Sequence, residues 1–295
     1  MEQRLIYPHI ESLRERILPE GGFAAKPKGK YRPDSTAWAV LALSVAGTKD
    51  DHIESSRARL ADSQLKDGRV CALPELPDTY WPTPLAILAW QGSRYQLEAQ
   101  SRAIEFLINT TGLHWKRNAD SHVANDPSIQ GWSWIADTHS WVEPTALALI
   151  ALQSAGYGTH KRANEATHML MDRQLSHGGW NYGNTVVFNQ ELRPMPENTG
   201  MALNALAGRV AEEKVSKSLH YLKFQIKQLR TPLSLGWSLL ALGAWGKRPD
   251  NAKKLIIESL KFQKIYGDYD TSLLALLILS FFSSRGLLVL DSVDP

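Results

Sequence analysis

The chain has 295 residues, of which 43% are hydrophobic and 21% charged, and its formal net charge is +3 at pH 7. This composition is typical of a globular protein with a full core, and it excludes wholesale disorder and collagen-like repeats. The charge excess is too small to indicate nucleic acid as a partner. A single cysteine, Cys71, excludes an internal disulfide and a paired-cysteine zinc site. Residues 1–18 lack the apolar core of a signal peptide, so we expect a cytoplasmic protein.

In chain order, charged segments of helical periodicity alternate with segments that carry no charged side chain. Within residues 212–230, for example, Val215, Leu219 and Leu222 lie on one apolar stripe. Amphipathic helices are predicted at residues 2–17, 51–63, 96–108, 160–174, 212–230 and 249–264. Helices that are apolar on every side, and therefore buried, are predicted at residues 37–47, 82–92, 144–156, 198–208, 231–246 and 271–284. No β-strand is predicted.

This sixfold alternation predicts an all-α protein, a double-layered (α/α)6 toroid of six helical hairpins in one domain over residues 1–295. The apolar helices would form an inner barrel and the amphipathic helices an outer layer, because closing the array into a ring buries all six apolar helices. An open helical solenoid is the alternative. Residues 285–295 would form a tail that packs on the ring or contacts a partner.

The lengths of the connections indicate which end of the barrel is functional. Connections that lead from an outer to an inner helix include four long ones, whereas the return connections are short. All long loops and all inner-helix N-termini therefore lie at one mouth, where sites are usually built. Helix N-termini favour anions, so Lys28, Lys30 and Arg32 are candidates for contact with a diphosphate or carboxylate, unless they form a merely solvated loop. The long loops are residues 18–33, 65–80, 110–142 and 176–196.

Acidic residues stand at the start of four inner helices: Asp34, Glu143, Glu197 and Asp270. Each is explained either as a helix cap or as a catalytic carboxylate at the mouth. The sequence leaves both interpretations open.

A Gln-x-x-x-Gly pattern ends three outer helices, at residues 64–68, 174–178 and 263–267, and the second continues to Trp180. The pattern resembles the QW repeat of squalene–hopene cyclases and other class II terpene cyclases, whose superfamily includes the β subunits of protein prenyltransferases. The resemblance covers about residues 20–284. It implies the same toroid, in which these repeats fasten the outer layer.

The catalytic motif of that family is an aspartate-rich helix start, and residues 268–272, DYDTS, resemble its DxDTT form. The resemblance implies that Asp270 is the general acid and Asp268 its neighbour. The implied reaction is the protonation of a linear isoprenoid, squalene or a prenyl diphosphate, followed by cyclisation through carbocations. Aromatic side chains would stabilise such cations. The candidates, which core packing would explain equally well, are Trp38, Trp81, Trp90 and Trp237.

No cofactor is expected, except Mg²⁺ if the substrate is a diphosphate. Zinc is not expected, since Cys71 lacks the aspartate two residues earlier that the prenyltransferase site requires. Loop 110–142 holds several histidines and aspartates, but at spacings that fit no standard zinc site: His114, Asp120, His122, Asp126, Asp137 and His139.

Class II cyclases usually carry at least two helical domains, whereas this chain has the length of one. A second helical-domain protein, or a second copy of this chain, is therefore expected to complete the site. A peripheral membrane contact would suit an isoprenoid substrate.

Two further functions stay open. The first is an (α/α)6 carbohydrate-active enzyme that uses two of the mouth carboxylates Glu143, Glu197 and Asp34. Its sugar platforms would be Trp115, Trp132, Trp134 and Trp141 of loop 110–142. The second is a non-catalytic toroid that binds a lipid or a protein, because fold alone does not establish activity.

Overall fold

The computed structural model describes residues 2–47, 51–117 and 124–289. Helices dominate this part of the chain. In chain order they are α1 (Glu2–Arg14), α2 (Pro33–Val45), α3 (Asp51–Asp62), α4 (Thr83–Ala89), α5 (Leu97–Asn109), α6 (Val142–Ser154), α7 (Lys161–Asp172), α8 (Pro196–Leu206), α9 (Glu212–Gln225), α10 (Pro232–Ala244), α11 (Ala252–Lys261), α12 (Gln263–Tyr266) and α13 (Thr271–Phe282).

The apolar helices form a closed inner ring. Helix α2 contacts α4, and the contacts continue in order through α6, α8, α10 and α13, which returns to α2. The amphipathic helices α1, α3, α5, α7, α9 and α11 pack outside this ring, each against at least one inner helix. The predicted (α/α)6 toroid is therefore confirmed, and the open solenoid is excluded.

Two details of the predicted elements were wrong. Helix α9 ends at Gln225 rather than at residue 230, because the chain needs those residues to turn back toward Pro232, and a residue before proline is held extended. The long loop before α8 contains a short hairpin, in which β1 (Val186–Val187) pairs with β2 (Gln190–Glu191). Both of its turn residues, Phe188 and Asn189, have positive φ, as a type I′ turn requires.

Four threonines fasten the long loops to the inner helices by the same bond. In each case the threonine Oγ1 accepts a backbone N–H from the loop at 2.9 Å, and its hydroxyl donates back to the carbonyl of the same loop residue. This repeated bond gives the inner helices a common register at the mouth. The pairs are Thr36 with Phe23, Thr83 with Val70, Thr145 with Trp132, and Thr199 with Trp180.

The glutamines of two Gln-x-x-x-Gly segments join neighbouring outer helices. The Nε2 of Gln64 donates to the carbonyl of Ala99 in α5 at 2.8 Å, and that of Gln174 donates to Ser218 in α9 at 2.8 Å. Gly68 has a φ of +95°, and a Cβ there would lie 2.2 Å from a backbone oxygen of α5. These segments therefore hold the outer layer together. Gln263 instead accepts from the backbone N–H of Tyr269.

The chain returns across the barrel end opposite the mouth. After α13, Gly286 takes a positive φ of +87° and leads into the 3-10 helix Leu287–Val289, which contacts α6 and α10. The N–H of Leu287 donates to the Oδ1 of Asn204 at 3.3 Å, so this part of the expected tail closes the far end of the ring. Residues 290–295 lie outside the described residues. None of the described helices has the length and hydropathy to cross a bilayer.

Candidate functional site

Three acidic side chains occupy the same register at the mouth. Asp34, Glu143 and Glu197 are each the second residue of their helix, two residues before a fastening threonine. The N-cap position belongs to the residue two places earlier, so these carboxylates do not cap their helices. Trp81 also stands two residues before a fastening threonine, Thr83, but it lies in the turn that precedes α4. Three carboxylates and one indole therefore lie at the starts of four inner helices.

Glu143 is the most perturbed of these groups. Burial, opposed by a hydrogen bond from Trp134 and assisted by the negative charge of Glu197, raises the pKa of its carboxyl to about 7. The residue nevertheless keeps some solvent exposure, so it is not sealed in the core. A carboxyl with this pKa is about half protonated at neutral pH. It is therefore suited to donate a proton.

Glu197 lies on α8, next to α6 in the ring. Its Oε2 accepts a hydrogen bond from the Oγ of Ser234 on α10 at 2.7 Å. Burial, together with the Glu197 charge, raises the pKa of Tyr221 to about 12. Glu197 thus combines a fixed orientation with an electrostatic influence on Glu143.

Asp34 forms an ion pair within its own loop. Arg32 donates to it from Nε at 2.8 Å and from a terminal nitrogen at 3.1 Å. This bidentate bond satisfies both carboxylate oxygens and engages one of the three cations expected to contact an anionic substrate. Lys28 and Lys30 lie exposed on the same loop.

The DYDTS segment has a different environment from the other helix starts. Asp270 is the N-cap of α13, and its Oδ1 accepts the N–H of Leu273 at 2.8 Å. Asp268 is exposed and lines an external groove of about 360 Å³ with residues of α1 and α11. Buried Arg16 interacts with both charges and donates to Thr271. The structure thus gives Asp270 a capping contact and turns Asp268 outward.

Of the four candidate tryptophans, two meet inside the ring. The rings of Trp38 and Trp237 pack edge to face with centroids 5.7 Å apart. Their helices, α2 and α10, are separated in the ring by α13, so the contact crosses the interior of the ring, where both side chains are buried. Trp81 is partly exposed at the mouth. Trp90 is fully buried, and its indole donates to the carbonyl of Arg57 in the outer layer at 3.1 Å.

Beside Glu143 lies a row of aromatic rings that the sequence predicted in part. Trp134 stacks on Trp141 with a centroid distance of 5.4 Å, and His139 and then Trp115 continue the row at 5.1 Å and 5.8 Å. Tyr182, from a different loop, adds an edge contact to Trp134 at 6.4 Å. His139, in the same loop as the tryptophans, was considered from the sequence only as a zinc ligand, and Tyr182 belongs to a loop that meets this row only in the folded chain.

Trp132 does not take part in this row. It is buried, its indole donates to the carbonyl of Leu107 at 3.0 Å, and Arg162 lies 4.0 Å from the centre of its ring.

Within the described ranges, no group of three or more His, Cys, Asp or Glu side chains is arranged to hold a metal ion. His114 lies near Thr111 and Gln130 at hydrogen-bond distance. Asp126 accepts the N–H of Ser128, and Asp137 has a positive φ of 58°. Two residues considered from the sequence, Asp120 and His122, lie outside the described residues.

The fold resembles those of solved enzymes with different activities. The α-1,6-mannanase GH76A from Salegentibacter sp. HEL1_6 superposes with a TM-score of 0.62 at 12% identity, covering 98% of this chain and 100% of that chain. A variant of the type II terpene cyclase MstE from Scytonema, in complex with geranylgeranyl dihydroxybenzoate, superposes with a TM-score of 0.65 at 13% identity, covering 96% and 97%. No family model matches the sequence, and no curated protein matches it significantly.

At these identities the likeness shows the fold and nothing finer. The match to MstE covers nearly the whole of both chains.

Proposed function

We propose that the protein is an acid catalyst with Glu143 as its proton donor, and that it cyclises a linear isoprenoid through carbocations. The observation that carries this proposal is a carboxyl with a pKa of about 7, placed in the mouth of the toroid without a capping role. Asp270, which the sequence resemblance implied as the acid, is replaced in this proposal by Glu143.

The raised pKa suits the reaction at neutral pH. With its ordinary pKa of 4.5, a glutamic acid is about 0.3% protonated at pH 7. At a pKa of about 7, half of the molecules carry the proton, which is a gain of about 150-fold. The weaker acidity cancels only part of this gain, because proton transfer is incomplete in the transition state.

The surroundings of Glu143 favour a cationic intermediate on an apolar substrate. The inner helices of the ring are largely free of charge, and Trp38 and Trp237 lie buried in its interior. Trp134 and Trp141 stack beside the acid. Each ring that faces a cation contributes about 0.5–2 kcal/mol. The Gln-x-x-x-Gly pattern and the MstE likeness agree with this substrate class. A cytoplasmic location with a peripheral membrane contact is part of the same proposal.

A second candidate is the hydrolysis of a glycosidic bond. This reaction is favoured by the position of Glu143 and Glu197 on adjacent inner helices, where the charge of Glu197 raises the pKa of Glu143. Glycosidases use such a pair, one member protonated and one ionised. In this reaction Glu143 would be the acid and Glu197 the base or nucleophile. The likeness to the mannanase fold is compatible with it.

The test compares the wild-type protein with Glu143→Gln and Asp270→Asn. Each is incubated with squalene, with C15 and C20 prenyl diphosphates with and without Mg²⁺, and with α-1,6-linked oligosaccharides. A cyclic hydrocarbon or alcohol that decreases at least about 100-fold in Glu143→Gln is expected. Asparagine still caps a helix, so Asp270→Asn tests the acid role of Asp270 without removing the cap.

Loss of product in Asp270→Asn alone would return the acid role to Asp270. Reducing sugar in place of cyclised product would favour the second candidate. No product from any substrate would contradict both and favour a binding protein.

A further inference from the structure

A cavity lies at the outer end of the aromatic row, away from Glu143. It has a volume of about 210 Å³, and its lining includes Trp115, His139, Trp141, Asn125 and Arg173. This is about seven times the volume that one water molecule takes in the liquid. The cavity therefore has room for one substituted six-membered ring and not for a polymer segment.

Two polar side chains in the wall are buried but incompletely bonded. Asn125 is 4% exposed and Arg173 is 6% exposed. The Oδ1 of Asn125 has no hydrogen-bond partner within the described part of the chain, and the Nε of Arg173 has only an ion-pair contact with Asp172. A buried polar atom without a partner destabilises the protein. A bound molecule that donates to Asn125 and accepts from the guanidinium of Arg173 would supply the missing hydrogen bonds.

The charge of Arg173 is already balanced by the protein. Its Nε lies 3.4 Å from the carboxylate of Asp172, and the charges of Asp172 and Asp126 both act on the guanidinium. Its terminal nitrogens donate to the carbonyls of Gly183 and Asp126. Since a guanidinium carries five N–H groups, donors remain for a ligand, but a ligand anion would meet two nearby carboxylates. A neutral ligand fits this electrostatic environment better than an anion.

The remaining wall is aromatic. Trp115 is 49% exposed and lies at an angle of 74° to His139, which contacts Trp141. The exposed face of an aromatic side chain packs well against the flat face of a ligand ring. Hydroxyl groups at the edge of that ring would reach the amide and the guanidinium.

We propose that this cavity binds a neutral six-membered ring that carries hydroxyl groups, held by Trp115, Asn125 and Arg173. Two sources supply this chemistry: a phenolic head group or a pyranose. The inference does not depend on the proposed function, because binding is measured without turnover. If the ring is the head group of the substrate, its remaining part would follow the aromatic row toward Glu143.

The experiment uses the full chain and two probes, hydroquinone and methyl α-D-glucopyranoside, in ligand-observed NMR and calorimetric titrations up to about 20 mM. Anisole, which lacks hydroxyl groups, and the anion 4-hydroxybenzoate are the comparison ligands. Trp115→Ala and Asn125→Ala remove the platform and the unpaired acceptor. Tyr95→Ala removes an aromatic ring that is 82% exposed elsewhere, and is the matched control.

We expect the wild-type protein to bind at least one hydroxylated probe. The affinity for that probe should be at least about 10-fold weaker in Trp115→Ala and in Asn125→Ala, and it should be unchanged in Tyr95→Ala. The probe that binds identifies the source of the ring. Anisole and the anion should bind more weakly than hydroquinone. No binding of either hydroxylated probe, or equal binding by wild type and Trp115→Ala, would overturn the proposal. Trp115 is half exposed, so its variant should fold, and a melting curve checks each variant.

Discussion

Replacing Glu143 with glutamine should change how stability depends on pH. In the folded state the pKa of Glu143 is about 7, whereas in the unfolded chain it has the ordinary value of 4.5. The stabilisation of the protonated folded state is therefore complete below pH 4.5 and is lost as the pH rises to 7. The shift of 2.5 units corresponds to at most about 3 kcal/mol. Glutamine has the shape of the neutral acid and does not ionise, so the Glu143→Gln protein should keep this stabilisation as the pH rises.

The assay is urea and thermal unfolding, followed by circular dichroism between pH 4.5 and 8.5. Relative to wild type, Glu143→Gln should gain up to about 3 kcal/mol across this window, or about 5–10 °C in Tm. The comparison is the difference between the two proteins, so carboxylates that titrate in both cancel. Glu105→Gln, which removes an exposed carboxylate from α5, is the matched control. Parallel curves for Glu143→Gln and wild type would show that Glu143 is ionised at neutral pH and would remove the basis of the proposed acid.

Three further substitutions test the surroundings of this group. Glu197→Gln removes the like charge that raises the pKa of Glu143. The pH range in which Glu143 affects stability should therefore move to lower pH, and the same unfolding series measures this shift. Trp134→Phe removes a hydrogen bond that lowers this pKa, so the window should move up. Thr145→Val leaves a buried backbone N–H of the preceding loop without its acceptor, and urea unfolding should show a loss of about 1–3 kcal/mol. The same change at the exposed Thr159 should stay within about 0.5 kcal/mol.

The ring could be predicted from the sequence because its cause is compositional. Six apolar segments without charged residues predict helices that are buried on every side, and closing these helices into a circle buries all of them. Helix ends were less predictable, since they depend on the room needed for turns. Helix α9 thus stops at Gln225 although its apolar stripe continues to Leu229. The hairpin has a usual turn residue, Asn189, at only one of its two turn positions, and Phe188 takes a positive φ at the other.

The candidate site residues could be predicted as a class, the carboxylates at helix starts, but the sequence could not tell which of them cap a helix and which do not. Helix-start carboxylates were expected either to cap or to catalyse, and sequence spacing does not separate these roles. In the structure Asp270 is an N-cap, whereas Glu143 is not. The difference is two residues of helix phase, which lies within the uncertainty of any predicted helix boundary. The pKa of Glu143 is raised mainly by burial, lowered by the hydrogen bond from Trp134 and raised by the charge of Glu197, and these partners come from different segments of the chain.

The threonine bonds explain why the residue two positions before each fastening threonine differs in chemical type from one inner helix to the next. The bond made by Thr36, Thr83, Thr145 and Thr199 fixes each loop through backbone atoms, so it places no demand on the residue two positions earlier. That earlier position carries an aspartate, a tryptophan and two glutamates in successive helices, and all of them lie at the mouth. Scaffold and chemistry are thus encoded by different residues of the same turn. This separation lets one toroid place a carboxylate at one helix start and an aromatic ring at the next, so the fold by itself does not determine the chemistry at the mouth.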